Sequence, residues 1–389
     1  MKILVLAPQP FMTPRGTPIA VQMLLQTLSA RGDRMDVITF ADGEDIEIEN
    51  CRLFRVPALP GTQNVAPGFS LKKLISDLVM FPMVCWRLLR HRYDLVLAVE
   101  ESAYMAMVLR PIFRVPYIFD IDSSIPEQIN DKYKLPRPIR GCLTAMEKAT
   151  ARHAVGVIAC CTALGTLARE YAPDVPVQVL EDVTMLANPL VAPGSMRPEE
   201  PVIMYIGNLE SYQGVGLLLE AMARLDPATT PARLVIVGGA LHHIEQYRQR
   251  AAQLGIADHV TFLGPKPVTE LGRHLQTATI TASPRTQGRN TPMKIYSYLD
   301  SGRPLIATRL PTHTQVLDDE IAMLVEPEPE AMADGLRALL SDPALRTRLA
   351  SAAGARVAAE FTPTAYRRKL SAFMETEILP RLRPSRPVA

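Results

Sequence analysis

The feature that most constrains this chain is an alternation that runs twice. Short, continuously apolar runs are separated by segments of helical periodicity: KILVLA, MDVITF, YDLVLAV, PYIFDI and VGVIACC first, then VIMYIG, RLVIVGG, VTFLG, TITASP, PLIAT and MLVEP. A strand that is apolar on both faces must be covered on both faces. The intervening helices, among them 18–30, 215–225, 244–254 and 293–301, supply that cover, so each half is expected to be an α/β unit with a parallel sheet. Between the halves, LANPLVAPGSMRPEEP carries proline and charge without periodicity and reads as a linker. The expected organisation is a first domain over 1–184, a linker over 185–201, a second domain over 202–362, and a last helix within 363–389 packing back on the first domain. Ligands of doubly wound sheets bind outside the carboxyl ends of the strands, so a cleft between the two lobes is the expected site.

At 389 residues the chain suits two domains. Its 42 basic and 40 acidic side chains leave a net charge of +2, which supplies no overall field for nucleic acid, so any basic site must be local. Five cysteines are an odd number without metal-ligand spacing, and most sit in apolar runs. They read as reduced core residues of a cytoplasmic protein. Pro8 and Pro10 break the opening MKILVLAPQP far short of a signal-peptide core, so it reads as a buried strand. No apolar stretch approaches the roughly 20 residues that span a bilayer, which leaves only peripheral membrane contact.

Five loops at strand ends carry candidate chemistry. After the first strand, Gly16 precedes Thr17-Pro18, which fits a threonine N-cap with proline at the first helical position and free amides for an anion. An ordinary strand-to-helix turn fits the same spacing. In YIFDIDSSIPEQI a strand ends in Asp120 and Asp122, a pair able to hold a divalent cation, bind an acceptor hydroxyl or cap Ser123-Ser124. In YIGNLESYQGVGLLLEAM, Gly207 and Gly214 lead from strand to helix, where backbone amides can approach a phosphate or merely make a tight turn. Gly238 and Gly239 end another strand in the same way. Finally, TITASP leads through Arg285 and Arg289 to Thr291-Pro292, a second candidate cap, and to Lys294 in the first helical turn. Amides and cations converging there suit a diphosphate and the charge it gains on leaving, while the stretch taken alone fits solvated basic residues on a loop better. His313 follows a strand and either approaches the site or sits in a capping turn.

The order of these features resembles the retaining nucleotide-sugar glycosyltransferases of family 4. The residues that carry the likeness are MKILVLAP with its glycine loop, YIGNLESYQGVGLLLEA, RLVIVGG, VTFLGPKP and NTPMKIYSYLDSGRPLIAT, spread over nearly the whole chain. The resemblance implies a GT-B fold of two facing Rossmann-like domains with an interdomain cleft, a nucleotide-sugar donor as co-substrate, no metal or other cofactor, and a saccharide or lipid-linked saccharide acceptor. It also implies that the leaving phosphate helps to deprotonate the acceptor.

Departures from the family pattern redistribute charge. The arginine and lysine of the family's first glycine loop fall on Asn208 and Gln213, its two glutamates on Arg289 and Ser297, and a strand-end histidine on Ile121. The resemblance then makes Arg289, Lys294 and Asp122 the candidate catalytic residues. Gly16, Gly207, Asn208, Gln213, Gly214, Gly238, Asn290, Thr291 and Ser297 are the candidate donor contacts, with the Ser297 hydroxyl toward the nucleotide ribose. Asp120 and Glu127 are candidates for the acceptor. Two other readings share this fold: a nucleotide-sugar 2-epimerase, and a non-catalytic sugar-nucleotide-binding partner of another transferase.

Residues Leu71 to Tyr93, LKKLISDLVMFPMVCWRLLRHRY, mix leucines, phenylalanine and the only tryptophan with Lys72, Lys73, Arg87, Arg90, His91 and Arg92. They read either as a basic amphipathic helix pair lying on an anionic membrane surface, or as a covering helix with Trp86 in the core.

Overall fold

The computed structural model describes residues 1–11, 16–45, 47–59, 70–186 and 200–382. Most of the expected linker, the loop before Gly16 and the extreme end of the chain lie outside them. Among the described residues, thirteen strands form two sheets in which every pairing is parallel. The first sheet contains β1 (Lys2–Ala7), β2 (Arg34–Thr39), β3 (Cys51–Arg55), β4 (Leu95–Val99), β5 (Tyr117–Ile121), β6 (Gly156–Ala159) and β7 (Val177–Val179), in the order β3-β2-β1-β4-β5-β6-β7. The second contains β8 (Val202–Ile206), β9 (Arg233–Val237), β10 (Val260–Gly264), β11 (Ile280–Ser283), β12 (Leu305–Thr308) and β13 (Met323–Val325), in the order β10-β9-β8-β11-β12-β13.

Each sheet has one point where the strand order reverses, between β1 and β4 in the first and between β8 and β11 in the second. At such a point the loops leaving two neighbouring strands turn toward opposite faces, and a crevice opens between them. The polar loops of the sequence lie at or next to these two places.

The chain divides into two units. One is Met1–Glu181 together with the chain from Tyr366 onward, and the other is Asp182–Ala365. In the first, Leu4, Leu6 and Phe119 pack with Met80, Val84 and Leu109 from covering helices. In the second, Ile203, Leu234 and Ile236 meet Leu218, Met332 and Leu336 in one core cluster, while Leu305 joins Ile295, Leu299 and Val357 in another. Each of these buried side chains contributes roughly 1.5–3 kcal/mol of hydrophobic stabilisation.

The helix Pro363–Phe373 and the turns that continue it to Leu382 pack on the first unit. A Cβ at Gly156, at the start of β6, would lie 2.5 Å from Ile378 and 2.9 Å from Phe373, so the missing side chain lets this segment close over the sheet. Ion pairs from Lys369 to Glu181 (2.7 Å) and from Arg31 to Glu375 (2.9 Å) fix it at the margins.

Several local expectations are corrected. The strands β3 and β7 carry no continuous apolar run, being mostly half-buried at the sheet edges. Residues Leu71–Arg90 form one helix with Pro82 inside it, not a pair. Within it Arg87 is buried, its guanidinium 2.5 Å from Asp36, and Lys73 is ion-paired, so neither belongs to an exposed basic face. Trp86 is half exposed and not a core residue. Cys142 is exposed on the helix Arg137–His153, whereas Cys161 is buried. No helix of the described residues is long and apolar enough to cross a membrane.

Candidate functional site

In the second unit, the loop after β8 and the loop after β11 leave adjacent strands at the switch point and are stitched together. Gly214 has φ +74°, and a Cβ there would lie 1.8 Å from the Pro284 carbonyl oxygen. Only glycine lets the first loop press so closely on the second. The contact is reinforced where the Thr286 N–H donates to the Tyr212 carbonyl at 2.9 Å. Gly238, with φ +105°, likewise admits the Gly207 carbonyl, which would lie 2.3 Å from a Cβ. The glycines therefore set backbone approach between strand ends.

Lys294 opens the helix Lys294–Asp300 and reaches back under the first loop. Its Nζ donates to Gln213 Oε1 at 3.1 Å and lies 3.9 Å from the centroid of the Tyr205 ring. A Cβ at Gly207 would stand 3.3 Å from that same Nζ, so the glycine leaves the space beside it open. Both partners of the ammonium are neutral, and among the described residues no carboxylate lies within ion-pair distance of it. Burial, helped by the charge of Arg285, pulls the Lys294 pKa well below the ordinary lysine value. Tyr205 is itself fixed, its hydroxyl donating to the Asn208 carbonyl at 2.6 Å.

Around this centre the second loop is braced from within. Arg285 donates to the Asn290 carbonyl (2.8 Å), to Asn290 Oδ1 (3.2 Å) and to Thr312 Oγ1 (3.1 Å), so its guanidinium organises the loop. His313 is fully buried and donates from Nδ1 to the Thr308 carbonyl at 2.8 Å, while Nε2, 2.9 Å away, accepts from Ser283 Oγ. Burial first, and the nearby Lys294 and Arg285 charges after it, push the His313 pKa down to about 3, so the ring stays neutral.

The sequence-derived candidates divide accordingly. Gly207, Gln213, Gly214, Gly238 and Lys294 come together, with Asn290 in the adjoining brace. Asn208 is exposed, its Oδ1 accepting from the Glu210 N–H at 3.3 Å. Arg289 is exposed on the loop, where its carbonyl accepts from Gln315. Ser297 is wholly buried and its hydroxyl oxygen accepts from the Met185 N–H at 3.0 Å, which anchors the main chain.

Thr291 does not cap the helix, which starts at Lys294 after Met293 without a side-chain cap. Its buried Oγ1 has no hydrogen-bond partner among the described residues. The helix has seven residues, so the positive charge of the site resides on the Lys294 ammonium more than on a helix dipole. In the first unit, Gly16 begins the described helix Gly16–Ala30, which puts Thr17 inside it, and none of the described residues comes within 4 Å of the position of a Gly16 Cβ.

The first unit gathers acids at its own switch point. Glu100, directly after β4, has φ +49°, a left-handed backbone uncommon for a residue with a side chain. Its N–H donates to the Asp120 carbonyl at 2.8 Å and its Oε1 accepts from Ser123 Oγ at 3.1 Å, tying the ends of β4 and β5 together. Lys73 Nζ lies 2.9 Å from Glu100 and 2.8 Å from Glu101. Burial, then the charge of Glu101, lifts the Asp77 pKa to about 9, and burial lifts Glu101 to about 7.

Asp120 is nearly buried at the end of β5, Asp122 follows it half-buried, and Glu127 sits in the first turn of the helix Ile125–Tyr133. Ser124 does not receive a cap from the aspartates but donates to Glu147 at 2.8 Å. The acids at 100 and 101 escaped the sequence reading, although they follow β4 as Asp122 follows β5.

Comparison with known proteins agrees with the fold. Residues 15–181 match the family model described as "Glycosyl transferase 4-like domain", and residues 192–356 match "Glycosyl transferases group 1". The D-inositol 3-phosphate glycosyltransferase of Corynebacterium diphtheriae is 34% identical over 179 residues, 43% of this chain and 41% of that protein. The chain thus spans about two fifths of that curated relative. Among solved structures, sucrose-phosphate synthase from Thermosynechococcus elongatus superposes with a TM-score of 0.78 at 21% identity, over 96% of this chain and 98% of that one. Anabaena Alr3699/HepE in complex with UDP-glucose gives 0.72 at 18%, over 97% and 100%. The fold is therefore that of the GT-B glycosyltransferases, two Rossmann-like domains with parallel sheets. More particularly, the chain carries a glycosyl transferase 4-like domain followed by a group 1 domain.

Proposed function

We propose that the chain is a glycosyltransferase that moves a sugar, with retention, from a nucleoside-diphosphate donor to a saccharide or lipid-linked saccharide in envelope or exopolysaccharide synthesis. The observation that carries the reading is the half-buried Lys294 ammonium, held at a switch point by a neutral amide and an aromatic face. A cation kept there without an acid has its charge available to a ligand. The donor diphosphate supplies two negative charges, and the leaving nucleotide gains more as the glycosidic bond breaks, so Lys294 stabilises the transition state more than the ground state. Arg289 on the adjoining loop is a second phosphate contact in this reading. Asp120, Asp122 and Glu127 sit in the unit that would receive the acceptor.

UDP-glucose, bound in the Anabaena structure, supports a nucleotide sugar as ligand class. The protein works in the cytoplasm, and where the acceptor is lipid-linked, residues 71–93 rest on an anionic membrane surface. Incubation with a panel of sugar nucleotides and membrane lipid extract tests the whole reading. Release of a nucleoside diphosphate dependent on the extract supports transfer. Donor binding without turnover identifies a sugar-nucleotide-binding protein instead.

A further inference from the structure

The described surface of the first unit has an uneven distribution of apolar residues. Of the twelve large hydrophobic side chains exposed across the described residues, seven lie on just two helices, Leu71–Arg90 and Ser102–Phe113. These two helices pack against each other.

On the first helix Ile75, Leu78, Pro82, Trp86 and Leu89 are all exposed. At about 100° per residue they fall within an arc of roughly 80°, a stripe about 21 Å long. Leu78 is 67% and Leu89 72% exposed, so the stripe is not an accident of partial burial. The second helix adds Val108 and Ile112, one turn apart, at 54% and 68%.

Charge on this face has one sign. On the two helices every exposed charged residue is a cation: Lys72, Arg90 and Arg110, with Arg92 and Arg114 just beyond the helix ends; past Arg92 the exposed Asp94 accepts from the Lys2 N–H at 2.7 Å. The acid of the first helix, Asp77, is buried on its opposite side. A protein partner would be expected to meet such a patch with acids of its own in a fixed array. A fluid anionic bilayer needs no fixed array, because its headgroups gather around the cations while apolar side chains enter the interface. A half-exposed tryptophan beside arginines suits that boundary.

We infer that the two helices together form one docking face for an anionic lipid surface, with Val108, Ile112, Arg110 and Arg114 of the second as much a part of it as the first helix. The inference rests on the lipid-linked branch of the proposed function and extends it from a single segment to a two-helix plane. Its test contains neither donor nor acceptor, so it fails or succeeds apart from transfer.

The full chain is floated with vesicles of phosphatidylcholine alone, or of phosphatidylcholine with about 30% phosphatidylglycerol, at low and high salt. The wild type is expected to float with the anionic vesicles at low salt about tenfold more than with the neutral ones, and to be released by salt. The pairs Leu78→Ser with Leu89→Ser, Val108→Ser with Ile112→Ser, and Arg110→Gln with Arg114→Gln should each reduce flotation about tenfold with unchanged melting temperature. Equal flotation on neutral vesicles, or none at low salt, overturns the inference. So does wild-type flotation of the Val108 and Ile112 pair, which would confine contact to the first helix. A dimer in sedimentation that the same pairs dissociate would name a second copy as the occupant.

Discussion

Lys294 Nζ donates to Gln213 Oε1 at 3.1 Å, which ties the helix that follows β11 to the loop that leaves β8. The partner is an amide where the family pattern has a cation. A second lysine there would repel the first, while a carboxylate would neutralise it.

Gln213→Glu should therefore pair with Lys294 and compete with a diphosphate. Donor affinity is expected to fall about tenfold or more, with the melting temperature equal to or above that of the wild type. Isothermal titration with the donor reads the first and calorimetry the second. An unchanged affinity would mean that Lys294 is not the phosphate partner.

The lowered pKa of Lys294 predicts an alkaline limb in donor affinity. As pH rises through that pKa the free protein loses the ammonium, and binding weakens. Lys294→Arg keeps a charge that does not titrate in the working range, so its limb should disappear even if overall activity drops. A profile in which both proteins lose affinity at the same pH would assign the limb to another group.

Gly214→Ala should destabilise the second unit by more than about 2 kcal/mol, because a positive φ and a Cβ pressed on the Pro284 carbonyl act together. Urea unfolding measures it. Gly16→Ala, with none of the described residues within 4 Å of the Cβ, is the control and should lie within about 0.5 kcal/mol of the wild type.

Glu147 gives a pH dependence of stability. Burial lifts its pKa from 4.5 to about 7, against the opposing bonds from Ser124 and Ile125. Between these values the folded chain holds a proton that the unfolded chain has released, so stability falls as pH rises from about 4.5 to about 7, by about 3 kcal/mol from this group. Glu147→Gln mimics the protonated form and should flatten that part of the profile. A wild-type slope of the opposite sign, unchanged in the variant, would contradict the assignment.

The architecture was legible because buried parallel strands must be written as unbroken apolar runs. Edge strands such as β3 and β7 are half-buried and carry no such mark. The cluster around Lys294 was legible for a similar reason, since Gly207, Gly214 and Lys294 each answer a local demand on backbone or charge. Ser297 and Thr291 were not, because a hydroxyl in a helix start has the same sequence signature whether it faces a ligand or the core. Glu100 and Lys73 were hidden as well: they are a residue in a left-handed turn and a lysine on a distant helix, and only the folded sheet brings them together.

The central claim is that Lys294 holds the donor diphosphate. Calorimetric titration of the wild type and of Lys294→Met with a nucleoside diphosphate at neutral pH tests it most directly. The account predicts measurable binding by the wild type and a loss of at least about 30-fold in the variant, with melting temperature retained. Equal binding by both proteins would contradict it.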